Sequence, residues 1–393
     1  MRVYADNAAT TAMSPAAIKA VADCMERYYG NPSSLHEEGQ EAAQVLEQAR
    51  EDIAACLGAK PEEIYFTSGG TEADNWAITN MASFGTRKNK RHIISSAFEH
   101  HAVLHTLNKL EKQGFEVTLL DVHEDGLVRP EELEAAIRED TALVTIMYAN
   151  NEVGTVQPIT ELAAICKAHG VPFHTDAVQA AGHLPINVAE QQIDLLSLSG
   201  HKFNGPKGVG VLYCRKGIPL LPFQEGGAQE RGKRGGTENL PSIVGMAAAL
   251  KETVAHQQEE AERLTALRDK LIAGLAQVPR SRLNGHPTKR LPGNVSFCFE
   301  GVEGESLLLR ADLVGIAGSS GSACTSGSLD PSHVLLSLGL PHEIAHGSLR
   351  LSLGRFNTEE EIDYMLEKLP PIIAQLRDMS PVWERIMKGE QVK

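Results

Sequence analysis

The sequence has 393 residues, 42% of them apolar and 22% charged, the balance of a globular protein long enough for two domains. Its formal charge of −14 argues against a nucleic-acid partner, because phosphates are met by a basic face. The residues after Met1 form no apolar leader and no segment is apolar enough to span a bilayer, so the expectation is a cytoplasmic protein without a membrane partner.

Short apolar runs alternate with amphipathic stretches along the first half. Strands are predicted at 63–67, 92–95, 117–120, 143–148, 172–175, 194–198 and 209–213. Between them, helices are predicted from Thr71, over about 101–113, over 130–139 and over 159–169. Alternating strand and helix signals imply an α/β sheet, mostly parallel, whose buried strands read as near-continuous apolar runs. Residues 241–277 read as one long helical stretch, apolar early and charged later, that bridges two domains. Beyond it, a strand over 294–300, a helix over 305–313, a strand over 349–352 and a helix over 359–377 suffice for a smaller α/β domain.

Several short segments carry candidate chemistry. Ser68-Gly69-Gly70-Thr71-Glu72 joins a strand to a helix, where free N–H groups and the Thr71 hydroxyl can meet a phosphate; a plain turn is the alternative. His100 follows a strand, placed either to stack on a ring and shuttle a proton or simply to open a helix. Asp176 ends the run 172–175 at the carboxyl edge of the sheet, where α/β folds place ligands; a helix N-cap is the competing role. Lys202, in Ser199-Gly200-His201-Lys202-Phe203, ends another buried run and suits a Schiff base, with Ser199 and His201 close enough in sequence to reach a phosphate. Arg350, in Leu349-Arg350-Leu351, offers a bidentate fork to a carboxylate; a surface charge on a half-exposed strand is the alternative.

The cysteines stand at 24, 56, 166, 214, 298 and 324 and form no C-x-x-C pair, so neither a zinc site nor a redox dithiol is expected. Cys324 differs from the others. It lies in Gly321-Ser322-Ala323-Cys324-Thr325-Ser326-Gly327, a stretch of small residues suited to a thiol that must travel.

An ordered set of motifs then points to a family. They are Tyr4-Ala5-Asp6-Asn7-Ala8-Ala9-Thr10-Thr11, Gly30-Asn31-Pro32-Ser33-Ser34, Thr67-Ser68-Gly69-Gly70-Thr71-Glu72, Glu99-His100, Asn150-Asn151-Glu152-Val153-Gly154, Asp176-Ala177-Val178-Gln179, Ser199-Gly200-His201-Lys202, Gly235-Gly236-Thr237, Ser319-Ser320-Gly321-Ser322-Ala323-Cys324 and Arg350-Leu351-Ser352-Leu353-Gly354-Arg355. With these, spread from residue 4 to 355, the chain resembles the NifS/IscS-type cysteine desulfurases, fold-type I enzymes that use pyridoxal phosphate.

The resemblance implies a large domain over 12–255 with a mostly parallel seven-stranded sheet between helices. It implies a smaller α/β domain from 1–11 and 256–393 that carries the Cys324 segment. It implies that Lys202 holds pyridoxal phosphate, Asp176 faces the ring nitrogen, Gln179 meets the ring hydroxyl, and His100 stacks on the ring and helps in proton transfer. Gly70, Thr71, Ser199 and His201 would hold the phosphate, with Thr237 reaching the phosphate of the neighbouring subunit in a homodimer. Asn151 would touch cofactor and substrate, Arg350 and Asn31 would bind the carboxylate of L-cysteine, and Cys324 would take the sulfur. The expected products are L-alanine and a persulfide passed to an Fe–S scaffold or another acceptor protein. Rival readings are another fold-type I enzyme, such as an aminotransferase or selenocysteine lyase, and a silent scaffold for Fe–S assembly.

Overall fold

The computed structural model describes residues 1–320 and 331–388. The chain runs through β1 (Val3–Tyr4), α1 (Pro15–Arg27) and α2 (Glu37–Leu57). The alternating region follows as β2 (Ile64–Thr67), α3 (Gly70–Arg87), β3 (His92–Ser96), α4 (His101–Glu111), β4 (Glu116–Leu120), α5 (Pro130–Ala136), β5 (Thr141–Thr145), α6 (Ile159–Ala168), β6 (Phe173–Asp176), β7 (Leu195–Ser199) and β8 (Gly210–Cys214). A single turn, α7 (Gln229–Gly232), precedes α8 (Leu240–Ala255) and α9 (Gln257–Leu275). The remainder is β9 (Ser281–Leu283), β10 (Asn294–Phe299), α10 (Gly304–Leu313), β11 (Ile316–Ala317), α11 (His333–Ser337), α12 (His342–Ala345), β12 (Ser348–Ser352), α13 (Glu359–Asp378) and α14 (Pro381–Met387).

The main sheet has seven strands in the order β2-β8-β7-β6-β5-β3-β4. Only β8 runs against its neighbours; every other pairing is parallel. Successive strand residues point to opposite faces, and both faces are covered. Ile93, Leu143, Leu195 and Leu212 pack with Trp76 and Leu107 from α3 and α4. Their neighbours Ile94, Val144, Leu196 and Val211 pack instead with Ile53, Leu162, Met246 and Leu250 from α2, α6 and α8. This is why the strands are legible as unbroken apolar runs. The α/β class and the mostly parallel seven-stranded sheet are those expected.

A second core joins Val3 and Ala5 to Leu264, Leu267, Leu271 and Leu275 of α9, Phe297 and Phe299 of β10, and Ile362, Met365 and Leu369 of α13. Its sheet is β12-β10-β9, antiparallel. β1 pairs with β11, and two bridges, Asp6 with Ser352 and Ser319 with Arg350, tie that pair to β12.

Three elements differ from expectation. The stretch 241–277 is two helices broken at His256, whose φ of −112° ends α8 and begins α9. The two halves serve different cores, and one straight helix cannot turn a single apolar stripe to both. The strand expected to reach Tyr148 ends at Thr145: Ile146 and Tyr148 still donate to His174 and Asp176 of β6, but on the β3 side the Met147 N–H donates to a Glu99 side-chain oxygen at 2.9 Å instead of to a strand. Helices α1 and α2 were not anticipated. No helix among the described residues is long and apolar enough to cross a membrane.

Candidate active site

The carboxyl ends of β2, β3, β5, β6 and β7 converge on one cavity of about 310 Å³. Gly70, Thr71, His100, Asn151, Asp176, Gln179, Ser199, His201 and Lys202 line it, and Arg350 enters from β12. A parallel sheet brings its strand ends to one edge, so residues far apart in sequence share a site.

At one side the cavity meets the start of α3. A Cβ built on Gly70 would lie 2.5 Å from Val178 Cγ2, so only glycine fits there. Gly69 caps the helix without a side chain, which leaves first-turn N–H groups for a ligand. The carboxylate in that turn, Glu72, is neutralised by Arg234 at 2.9 Å and accepts the Ser68 N–H at 3.0 Å. Thr71, Ser199 and His201 add hydrogen-bonding side chains.

On the floor, Asp176 accepts the Val178 N–H at 2.9 Å. Burial pushes its carboxyl up to about 6, against the pull of that hydrogen bond and of Lys202. Asp74 lines the same floor, 1% exposed, and its Oδ1 has no hydrogen-bond partner among the described residues. Burial first, and the Asp176 charge second, push Asp74 well above the usual carboxylate range. Two buried acids close together call for a proton or a cation between them.

Above them, the Lys202 ammonium donates to the Ala8 carbonyl at 2.7 Å and the Ala9 carbonyl at 2.8 Å. His100 is the N-cap of α4, its Nδ1 accepting the Ala102 N–H at 3.1 Å. The helix-opening role and a role at the cavity therefore coincide in one residue. Burial, then Lys202 and the imidazoles of His101, His333 and His105, hold the His100 pKa down to about 4, so its ring is neutral at pH 7. His201 is likewise held to about 4, by burial and then Lys202 and Lys207.

These features fit pyridoxal phosphate: a helix N-terminus over a glycine floor for the phosphate, a buried carboxylate for the ring nitrogen, and a lysine amine at the same cavity. Gln179 is 8% exposed and donates to the Ala8 carbonyl at 2.9 Å. Arg350 Nη1 donates to the Asn151 carbonyl at 3.1 Å, and Nη2 pairs with Asp6 at 2.9 Å.

Two expected residues lie elsewhere. Thr237 is exposed and lines a separate cavity with Ser68, Gly208 and Asn239. Asn31 is exposed, with its Oδ1 accepting the Ser33 N–H at 2.9 Å, and is not among the residues lining the main cavity. Cys324 lies outside the described residues. The described cysteines are poor nucleophiles: burial pushes Cys56 up to about 11 and Cys166, Cys214 and Cys298 up to about 12.

Sequence reasoning missed Asp74, Ala8, Ala9, Met147 and Val178, which also line the cavity. Asp74 had a signal, since it stands three residues after Thr71 on a helix and so shares its face.

The aminotransferase class-V family model matches residues 3–365. A cysteine desulfurase IscS of Methanosarcina thermophila is 55% identical over 380 residues, covering 97% of this chain and 94% of that one. A cysteine desulfurase IscS of Clostridium botulinum is 52% identical over 395 residues, covering 100% of this chain and 99% of its own. A solved NifS-like protein superposes with a TM-score of 0.90 at 41% identity, covering 95% of this chain and all of the other. With the fold, the site geometry and near full-length similarity in agreement, the chain belongs to the aminotransferase class-V family, among its pyridoxal-phosphate-dependent cysteine desulfurases.

Proposed function

We propose that this enzyme converts L-cysteine to L-alanine and holds the released sulfur as a persulfide on Cys324 for delivery to an acceptor protein, in Fe–S cluster assembly or another sulfur-requiring pathway. One observation carries the reading: a single cavity collects Lys202, Asp176, His100 and Arg350, an amine, a buried acid, a neutral imidazole and a guanidinium.

Pyridoxal phosphate, when bound, supplies a carbonyl for the substrate amine and a ring that draws electrons from its Cα. The chain's residues do the rest. Gly70, Thr71, Ser199 and His201 hold the phosphate with the α3 N-terminus. Asp176 meets the ring nitrogen and Gln179 the ring hydroxyl. His100, neutral at pH 7, would stack on the ring and accept or return a proton. Lys202 would anchor the cofactor, and its amine would be the base that takes the Cα proton. Arg350 binds the substrate carboxylate, with Asn151 beside it and Asn31 as a further contact.

The Cys324 thiolate forms an S–S bond to the substrate sulfur as the Cβ–S bond breaks. The electron pair stays with carbon, which is protonated on the way to alanine. Burial of the described cysteines supports Cys324 in this role.

The proposal extends to a cytoplasmic homodimer in which Thr237 reaches the partner's phosphate, which accounts for its exposure in a single chain. It also divides the chain into 12–255 and 1–11 with 256–393, a division supported by the separate core around α9, β10 and α13. The net charge of −14 supports a protein rather than a nucleic-acid partner.

Alanine and sulfide are measured from L-cysteine for wild type and Cys324→Ala, both loaded with cofactor. Products from wild type and neither from the variant are expected. Equal turnover by both would refute the role of Cys324.

A further inference from the structure

The segment from Asp6 to Thr11 engages the cavity's functional groups one after another. Asp6 pairs with Arg350 at 2.9 Å. The Ala8 carbonyl accepts from Lys202 and from Gln179, and the Ala9 carbonyl accepts from Lys202. Thr10 Oγ1 meets His201 Nδ1 at 3.1 Å. Asp6 alone among these brings a charge.

We propose that Asp6 is an internal stand-in for the substrate carboxylate, occupying the Arg350 guanidinium until an α-carboxylate displaces it. The proposal rests on the desulfurase reading and adds a specificity residue to it.

The geometry favours exchange over a permanent pair. The Arg350 side chain is 5% exposed and that of Asp6 22% exposed, so Asp6 has a path to water that Arg350 lacks. Arg350 Nη1 is fixed on the Asn151 carbonyl, and its backbone is locked to Ser319 on both sides, N to O at 2.6 Å and O to N at 3.0 Å. Its Nε is buried and has no partner among the described residues. A carboxylate taking Nη2 and Nε together makes the two-pronged contact that a single Asp6 oxygen does not make.

The other acid near Arg350 is Glu152. Burial pushes it up to about 7, and it accepts the Ser332 hydroxyl, so it does not fully compensate the guanidinium once Asp6 leaves. The incoming carboxylate restores the balance, because it carries the same charge as the group it replaces. An amine without a carboxylate cannot displace Asp6 and finds the cation already neutralised.

The test uses cofactor-loaded Asp6→Asn, Asp6→Glu and wild type. For Asp6→Asn, KM for L-cysteine is expected to fall about three- to ten-fold, the order of one charge pair at the edge of solvent. Binding of cysteamine, which lacks the carboxylate, stays constant, and Asp6→Glu restores the wild-type KM. A KM that is unchanged or raised in Asp6→Asn, or an equal gain for cysteamine, overturns the proposal. A merely structural Asp6 would weaken both ligands together.

Calorimetric titration with L-alanine gives the same comparison without turnover. Lack of alanine formation by wild type would refute the desulfurase reading, while that titration still decides the role of Asp6. Should Asp6→Asn fail to fold, a crystal structure of the wild-type holoenzyme with L-alanine decides it. Asp6 withdrawn from Arg350 is expected, and Asp6 retained on Nη2 overturns it.

Discussion

Replacing Glu230 by Gln tests a deeply buried ion pair beside the sheet. Arg50 and Glu230 form a two-pronged pair at 2.8 and 2.9 Å, with side chains 5% and 1% exposed. Glu230 Oε2 also accepts the Phe66 N–H of β2 at 2.9 Å, and the residue sits at φ +45°, a backbone region unfavourable for a side chain. Gln keeps the shape but leaves the Arg50 charge without its buried counter-charge, a loss of about 3–5 kcal/mol for a broken buried pair. Arg50 retains Glu47 at 3.2 Å and the Ile64 carbonyl at 2.8 Å, which argues for the lower end, about 3 kcal/mol. At roughly 2 cal/mol/K per residue, unfolding the chain as one unit carries about 0.8 kcal/mol/K, so Tm falls by about 4 °C. Thermal denaturation of the cofactor-loaded proteins, followed by circular dichroism, reads this directly. A double variant with apolar residues at 50 and 230 should recover most of the loss. A Tm for Glu230→Gln within about 1 °C of wild type would refute the reasoning.

Two further perturbations test a buried acid and the cavity. Burial pushes Glu99 up to about 8, so between its unfolded value near ~4.5 and pH 8 the folded chain holds a proton that the unfolded chain has released. Stability of cofactor-free wild type therefore falls relative to Glu99→Gln as pH rises through that window, and a pH-independent difference in Tm would contradict the assignment. In Gly70→Ala, the added methyl meets Val178 Cγ2 at 2.5 Å in the glycine floor. Titration of cofactor absorbance should show affinity reduced by at least about ten-fold with the fold retained, since about 1.4 kcal/mol suffices for that change; wild-type affinity would remove Gly70 from the phosphate site.

The parts of the fold that were legible in sequence are those whose signal is local. Strands β3, β5, β6, β7 and β8 are buried along their whole length; β7 and β8 read as apolar runs, whereas β6 buries His174, Thr175 and Asp176 beside a single apolar residue. Helix α1 was readable as well, with Ile18, Val21, Ala22 and Met25 at helical spacing, although of its 13 residues the single chain buries only Ala17 and Cys24. Its Ser14-Pro15 start was also a readable cap. Helix α2 had acids in its first turn and Gly58 in the left-handed conformation at its end. The residues lining the cavity at strand ends were legible as well, because an Asp or Lys closing an apolar run is conspicuous. Asp6, Glu99 and Glu152 were not. What they do depends on Arg350, Met147 and Ser332, and no spacing rule links positions so far apart in sequence.

The pairing of β1 with β11 and of Asp6 with Ser352 has a consequence for how the molecule is made. Val3, Ala5 and Asn7 are made long before their backbone partners Gly315, Ala317 and Ser352. Lys202, Asp176 and His100 are in place long before Arg350 exists. The nascent chain therefore carries the strand around Val3–Asn7 without its partners while the parallel sheet forms behind it. Arg350 and its Asp6 counter-ion meet only when strand β12 arrives, so the carboxylate-binding corner is the last part of the cavity to assemble.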